Sequence, residues 1–244
     1  MSRSSLAADL RALGVRAGDT VMVHASMRRV GGRAEDLVGA LDAAVGRSGT
    51  WMMNVGPTAD PAGFDAATTP ADPDIGVLAE VFRTTPGAVV SDHPEGRFGA
   101  RGRDAAAITT DVPWHDYYGP GSPLERLVQR GGTVLRLGAD PDTVTLYHYA
   151  EYLADLPHKI RVTRFPLVRS ATGEPRRRRV DCLDDSTGIA PWDDGDYFAH
   201  ITLAYLAAGR ARVGTVGDAT AEWFDAADAV DFARAWMETH LRPS

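Results

Sequence analysis

Thr20-Val-Met-Val-His24 and Thr50-Trp-Met-Met-Asn54 are two short apolar runs, and the segment between them decides the fold. That segment, 35–46, repeats apolar residues at i, i+3 and i+4, the period of an amphipathic helix. Upstream, Leu6, Leu10 and Leu13 keep the same spacing until Gly14, a natural helix stop, so 4–14 is a first helix. Helix, strand, helix, strand is therefore the opening order. Downstream, helices are expected at 76–84 and 122–130, with strands at 88–90, 97–100 and 133–137. A helix from about 143 to 154 follows, with Thr143 as its N-cap. Residues 160–168 and 176–183 pattern as a hairpin across Ser170-Ala-Thr-Gly-Glu-Pro175. The C-terminal part reads as helix 196–208, strand 212–216 and helix 221–240. Alternation over the first 155 residues implies an α/β fold, three layers α/β/α around a central mixed sheet. We expect one domain over 1–244, with the hairpin and an acidic segment inserted at about 160–196.

The composition excludes several classes. A chain of 244 residues, 44% hydrophobic and 24% charged, buries a full core without disulfide staples. Its one cysteine, Cys182, can form no internal disulfide or cysteine-rich zinc site. Lys plus Arg number 26 against 33 Asp plus Glu, a formal charge of −7, the wrong sign for a non-specific nucleic-acid or anionic-membrane binder. The segment Met1–Gly14 lacks the long apolar stretch of a secretory leader, and no run approaches the ~20 apolar residues of a membrane span. A cytoplasmic protein with no nucleic-acid or membrane partner is the expectation.

In open α/β sheets, ligands gather outside the carboxyl ends of the strands. Val23-His-Ala-Ser26 is such an end; its backbone N–H groups can meet a phosphate or carbonyl, or it can be a plain turn. Ser91-Asp-His-Pro94, before Phe98, reads first as a turn whose histidine caps a carbonyl. Ser122 followed by Pro123 starts a helix, and a helix start can accept an anion. His148 and Glu151 lie three apart on one helical face. A carboxylate beside an imidazole raises its pKa and orients the ring, which suits a general base; a structural pair and a metal site are the alternatives. Asp181, Asp184, Asp185, Asp193, Asp194 and Asp196 crowd six carboxylates into 181–196. They are either solvated or the wall of a polyamine site, with Asp60, Asp65, Asp72 and Asp74 across from them. Arg176–Arg179 is a basic run in a strand, where charge discourages edge pairing.

Taken in order, these segments resemble the aminoglycoside 3-N-acetyltransferases, whose fold is distinct from the common acetyltransferase fold. The resemblance runs from Leu10 to Ala233. It rests on Val23-His-Ala-Ser26, Gly49-Thr50, Phe64-Asp-Ala-Ala-Thr68, Ser91-x-His-Pro94, Gly121-Ser-Pro-Leu124, Leu137-Gly-Ala139, Asp142-Thr-Val-Thr-Leu146, His148-Tyr-Ala-Glu151, Pro157-x-Lys159 and Val216-Gly-Asp-Ala219. It implies acetyl-CoA as donor, no metal, and the 3-amine of a 2-deoxystreptamine ring as acceptor. It further implies that His24, Ala25, Ser26 and Arg28 line the coenzyme, with Ser91, His93, Pro94, Phe98, Ser122 and Pro123 nearby. His148 becomes the base. Family members commonly carry a Glu in the helix after the acidic segment, where Ala199 stands here, so Asp184 or Asp185 is the expected carboxylate partner of His148. Asp60, Asp65, Glu151, Asp181, Asp184 and Asp185 are expected to bind a polycationic aminoglycoside. The short Gly56–Phe64 segment implies a more open acceptor side or another acceptor, such as an amino sugar or biosynthetic amine. A coenzyme A or aminoglycoside binder without turnover, and a metal hydrolase using His148 and Glu151, are the other readings. The resemblance leaves monomer and homodimer equally open.

Overall fold

A computed structural model of the chain describes residues 1–169 and 174–241. Strands β1 (Thr20–Ala25), β2 (Thr50–Asn54) and β5 (Thr133–Leu137) lie parallel at the centre, with β1 in the middle. Antiparallel strands β4 (Phe98–Gly102) and β3 (Val89–Val90) extend one side, and β11 (Ala219–Asp225) and β10 (Arg212–Val216) the other. The order β10-β11-β5-β1-β2-β4-β3 is the expected mixed sheet.

Successive strand residues face opposite ways, so the apolar runs feed two cores. Val21, Val23, Trp51 and Leu135 bury against α1 (Arg3–Leu13), α3 (Ala34–Val45) and α4 (Val77–Thr84). Trp51 meets Phe82 edge-on at 4.4 Å. Met22, Met52, Val134 and Phe224 bury on the other face, against α5 (Ala105–Thr109), α6 (Pro123–Gln129), α7 (Tyr147–Leu153), α8 (Tyr197–Ala207) and α9 (Ala226–His240). A one-turn helix, α2 (Met27–Val30), follows β1.

Three expectations are corrected. The helix expected from 221 begins at Ala226, and the preceding residues form β11. Gly217, at φ 63°, opens a two-residue hairpin turn where a side chain would strike the Val30 carbonyl at 2.4 Å. The helix expected from 143 begins at Tyr147, because Pro141–Thr143 coil as a 3-10 turn and the Thr143 hydroxyl donates back to the Asp140 carbonyl at 2.7 Å instead of capping. The expected long hairpin is two short ladders, β6 (Arg161–Arg164) with β9 (Val180–Leu183) and β7 (Leu167–Arg169) with β8 (Pro175–Arg177). Pro166 interrupts the first strand between them, since it cannot donate to a ladder. The turn expected over 170–173 lies outside the described residues. Arg97 fixes the long 57–75 loop: its buried guanidinium donates to the carbonyls of Thr69 at 2.8 Å and Ala66 at 3.1 Å. Among the described residues, no helix is long and apolar enough to cross a membrane.

Candidate active site

The carboxyl ends of β1 and β2 and the residues leading into α7 enclose a cavity of about 190 Å³. Its walls include His24, Ala25, Asn54, Asp74, Thr143 and Thr145. His24 is buried, and its Nε2 has no partner. Burial, and then the charge of Arg136 beside it in the strand register, lower its pKa to about 3, so it offers a neutral imidazole. A buried nitrogen without a partner is costly unless something arriving in the cavity satisfies it. Arg136 pairs in turn with Glu222 of β11 at 3.4 Å, so a His–Arg–Glu row crosses three strands beneath this cavity.

A second cavity, of about 350 Å³, opens beside α7. His148 and Glu151 line it together with Asp185, Asp196, Tyr197 and Phe198. The i, i+3 spacing brings His148 Nδ1 to 2.8 Å from Glu151 Oε2. The His148 side chain is 17% exposed and that of Glu151 only 2%. Nδ1 is thus committed to the carboxylate, which leaves Nε2 to exchange a proton with a molecule in the cavity. The ring lies between two others: Tyr118 stacks parallel at 4.7 Å, and Phe198 meets it edge-on at 4.8 Å. Burial works against the His148 imidazolium. Glu151, with Asp185 and Asp196 behind it, more than offsets this and holds the pKa above the ordinary imidazole value.

The expected partnership of His148 with Asp184 or Asp185 is corrected: the carboxylate at its Nδ1 is Glu151. Asp184 turns back on its own loop, accepting from the Ser186 N–H at 3.0 Å and the Thr187 hydroxyl at 2.5 Å. Asp185 does line the cavity, but Arg164 donates to one of its oxygens and the Tyr117 hydroxyl to the other at 2.6 Å. The remaining acidic residues do not converge on His148. Asp181 takes the Thr163 hydroxyl at 2.7 Å and Arg179 at 3.0 Å. Asp60 pairs with Arg169 at 3.0 Å, and Asp65 accepts the N–H groups of Ala67 and Thr68, both at 2.9 Å. None of the three lines this cavity.

The residues expected around the coenzyme divide. His24 and Ala25 line the smaller cavity, while Arg28 is exposed on α2 and Ser26 half-exposed at its start. The Ser91–Phe98 loop is the turn its residues suggest, with its histidine on a backbone carbonyl. His93 Nδ1 accepts the N–H groups of Glu95 at 3.1 Å and Gly96 at 2.8 Å, and Nε2 donates to the Trp114 carbonyl at 3.0 Å. The Ser91 hydroxyl accepts the Phe98 N–H at 2.9 Å. Pro94 and Phe98 are buried. Ser122 is buried as well, its hydroxyl accepting the Glu125 N–H at 3.3 Å ahead of Pro123, the first residue of α6. The side-chain polar atoms of Ser91, His93 and Ser122 are thus all engaged within the protein.

Several contributors escaped the sequence reading: Tyr118, Phe198, Tyr197, Asn54 and Arg164. One signal was available, since Asp116-Tyr-Tyr118 and Asp196-Tyr-Phe198 repeat an acid–aromatic–aromatic triplet, and both triplets deliver a ring to His148. Among the described residues, no group of three or more His, Cys, Asp or Glu side chains is placed to hold a metal ion.

Comparison with known proteins places this geometry in context. The sequence model described as aminoglycoside 3-N-acetyltransferase matches residues 22–238. Aminoglycoside N(3)-acetyltransferase VII of Streptomyces paromomycinus is 40% identical, over 99% of this chain and 93% of the relative. That alignment runs over 268 positions against the 244 residues here, so the relative carries stretches this chain lacks. The solved structure of AAC-IIIb in binary complex with CoASH superposes with a TM-score of 0.94 at 38% identity, covering 100% of this chain and 99% of the other. AAC-VIa bound to sisomicin gives 0.91 at 36% identity, covering 99% and 98%.

Proposed function

The chain belongs to the aminoglycoside 3-N-acetyltransferase family, and we propose that it transfers the acetyl group of acetyl-CoA to the 3-amine of the 2-deoxystreptamine ring of aminoglycosides, with His148 as general base. The observation that carries the mechanism is the His148–Glu151 pair on the wall of an acid-lined cavity. An aminoglycoside amine is protonated near neutral pH and cannot attack until its proton leaves. Neutral His148, with Nδ1–H held by Glu151, takes that proton at Nε2, and the imidazolium so formed is stabilised by the same carboxylate. The acetyl-CoA thioester supplies an activated acyl group, so the protein needs no nucleophile of its own. Cys182, buried at the Tyr117 hydroxyl, has no part in the reaction.

His24, Ala25, Asn54, Thr143 and Thr145 are the residues fitted to hold the donor, on the ground that the unpartnered Nε2 of His24 faces a need for a polar ligand. A neutral imidazole there suits a neutral amide better than a phosphate. Exposed Arg28 is the group for the anionic end. On the acceptor side, Asp196 and Asp185 attract the polycation, and charge-assisted hydrogen bonds to its ammonium groups contribute about 1–3 kcal/mol each where they are shielded from water. Acetylation removes a positive charge from an antibiotic that depends on it, which is the resistance role. Dependence on acetyl-CoA supports a cytoplasmic location.

The test is thiol release from acetyl-CoA across an aminoglycoside panel, with mass spectrometry of the products. We expect one acetyl group on the 3-amine and a His148→Ala variant slower by ~10²–10⁴-fold in kcat. An unchanged kcat in that variant removes His148 from the base role, and silence across the panel removes the acceptor assignment.

A further inference from the structure

Resting on the reading of His148 as base, we propose that Tyr197 is a positioning residue: its hydroxyl fixes the Glu151 carboxylate in the orientation that serves His148 and ties it to the cavity wall at Ile189. The helix after the acidic segment thus contributes a phenol to the base system. Glu151 is buried, and its two oxygens have different partners: Oε2 meets His148 Nδ1 at 2.8 Å, and Oε1 accepts the Tyr197 hydroxyl. The same phenol oxygen accepts the Ile189 N–H at 3.1 Å. A carboxylate held at one oxygen alone can rotate about its terminal torsion, which is broad and soft. Held at both, it keeps its lone pair on the imidazole.

Tyr197 is itself fixed. It is the first residue of α8 and is buried, and the helix start is locked by the Asp196 side chain, which accepts the Phe198 N–H at 2.7 Å. Burial first, and then the Glu151 charge, push its ionisation far above the usual phenol range, so it remains a donor at every working pH. The loop residues Asp185 to Gly188 form one wall of the 350 Å³ cavity, and the next residue, Ile189, gives the N–H that Tyr197 receives. The acceptor wall and the base therefore share one hydroxyl.

Other charges also face the pair. Asp185 comes from the loop after β9, Asp196 from the start of α8, and Lys159 acts on Glu151 from the loop after α7. Tyr118 faces the ring without charge. Tyr197→Phe leaves all of these in place and removes one O–H. Relieved of that proton, the Glu151 carboxylate draws harder on the His148 proton, so the imidazolium persists to higher pH. It also gains freedom to turn.

The experiment is a pH–rate profile of Tyr197→Phe with acetyl-CoA and an aminoglycoside that the wild type acetylates. We expect kcat to fall on the order of tenfold, and KM for acetyl-CoA to stay within about twofold. The acid limb of kcat/KM should move up by roughly 0.5–1 pH unit, so that raising the pH restores part of the rate. A uniform loss at every pH with the limb in place, or a wild-type profile, overturns the proposal. Should Phe at 197 unfold the chain, 3-fluorotyrosine installed there keeps the question open to test. A more acidic phenol donates more strongly, so the limb should move down, and an unmoved limb counts against the proposal. NMR titration of the His148 ring in both proteins separates the two readings. If His148→Ala leaves kcat intact, the base reading fails, whereas a His148 titration unaltered by Tyr197→Phe sinks the Tyr197 link on its own.

Discussion

A buried histidine and a half-buried one lie against one pair of tyrosines and end in opposite states. His148 stacks on Tyr118 at 4.7 Å, and His93 packs against Tyr117 at 4.8 Å. Around His93, burial wins: both nitrogens are spent on backbone groups, and the pKa is lowered to about 4. Around His148, one buried carboxylate reverses the outcome, raising the pKa and leaving a nitrogen accessible to the cavity. Burial makes an imidazole neutral and inert; the partner on its far nitrogen decides whether it becomes a base. The His-Pro segment reads in sequence first as a turn and the His-x-x-Glu pair as a base, and the partners on each ring give the physical reason for the difference.

The largest effect that can break this comparison comes from truncating each ring. His148→Ala should lose kcat by ~10²–10⁴-fold and keep its melting temperature within a few degrees, because the side chain is partly exposed. His93→Ala should do the reverse. It strands two N–H groups and the Trp114 carbonyl and opens a void, a cost of about 2–4 kcal/mol in stability, with kcat per folded molecule near wild type. Parallel measurement of kcat and unfolding free energy decides it. A His93 variant with normal stability and a collapsed kcat would return that loop to the active site.

A smaller effect follows from protonation. His93 and His24 have pKa values lowered to about 4 and about 3, so each contributes stability that is present above the ordinary imidazole pKa of ~6.5 and is lost as pH falls toward those values. His148, raised, has the opposite sign: its contribution is present below ~6.5 and fades as pH rises through its folded value. Two groups against one make the protein less stable in acid. Calorimetry should show Tm falling by roughly 5 °C or more from pH 7 to pH 4.5, and by less in His93→Ala. An equal slope in the two proteins would mean that His93 titrates normally and that its ring is not held as described.

How far the sequence carried this picture depends on the range of the interaction. The central strands were legible because apolar runs such as Val21–Val23 and Trp51–Met53 must be buried on both faces, and the helices around them because Leu6, Leu10 and Leu13 keep a local period. His148 and Glu151 were legible for the same reason, being one turn apart. Strand β11 was not, since Ala219–Asp225 becomes a strand by pairing with β5, which is distant in sequence. The acidic segment misled in one respect. Six carboxylates read as a solvated loop or as an anionic wall, but Arg164, Thr187 and Arg179 were already reserved for three of them, and no local pattern announces such pairings. Tyr197 was hidden because its partner lies 46 residues away.

The finest contrast between the two regions is one of charge. Asp196 lines the His148 cavity and Asp92 lines a separate cavity of about 420 Å³ beside His93; both side chains belong to exposed residues. Asn caps a helix as well as Asp does, so Asp196→Asn removes a charge and keeps the hydrogen bond to the Phe198 N–H. An exposed charge pair contributes ~0.2–1 kcal/mol, so KM for a polycationic aminoglycoside should rise about 2–5-fold at low salt. The difference should vanish near 1 M salt, where screening reaches ~3 Å, while KM for acetyl-CoA stays put. Asp92→Asn is the matched control and should change neither constant. Should Asp92→Asn raise the acceptor KM as much as Asp196→Asn, the polycation spans both cavities, and the two histidines stand at opposite ends of a single site.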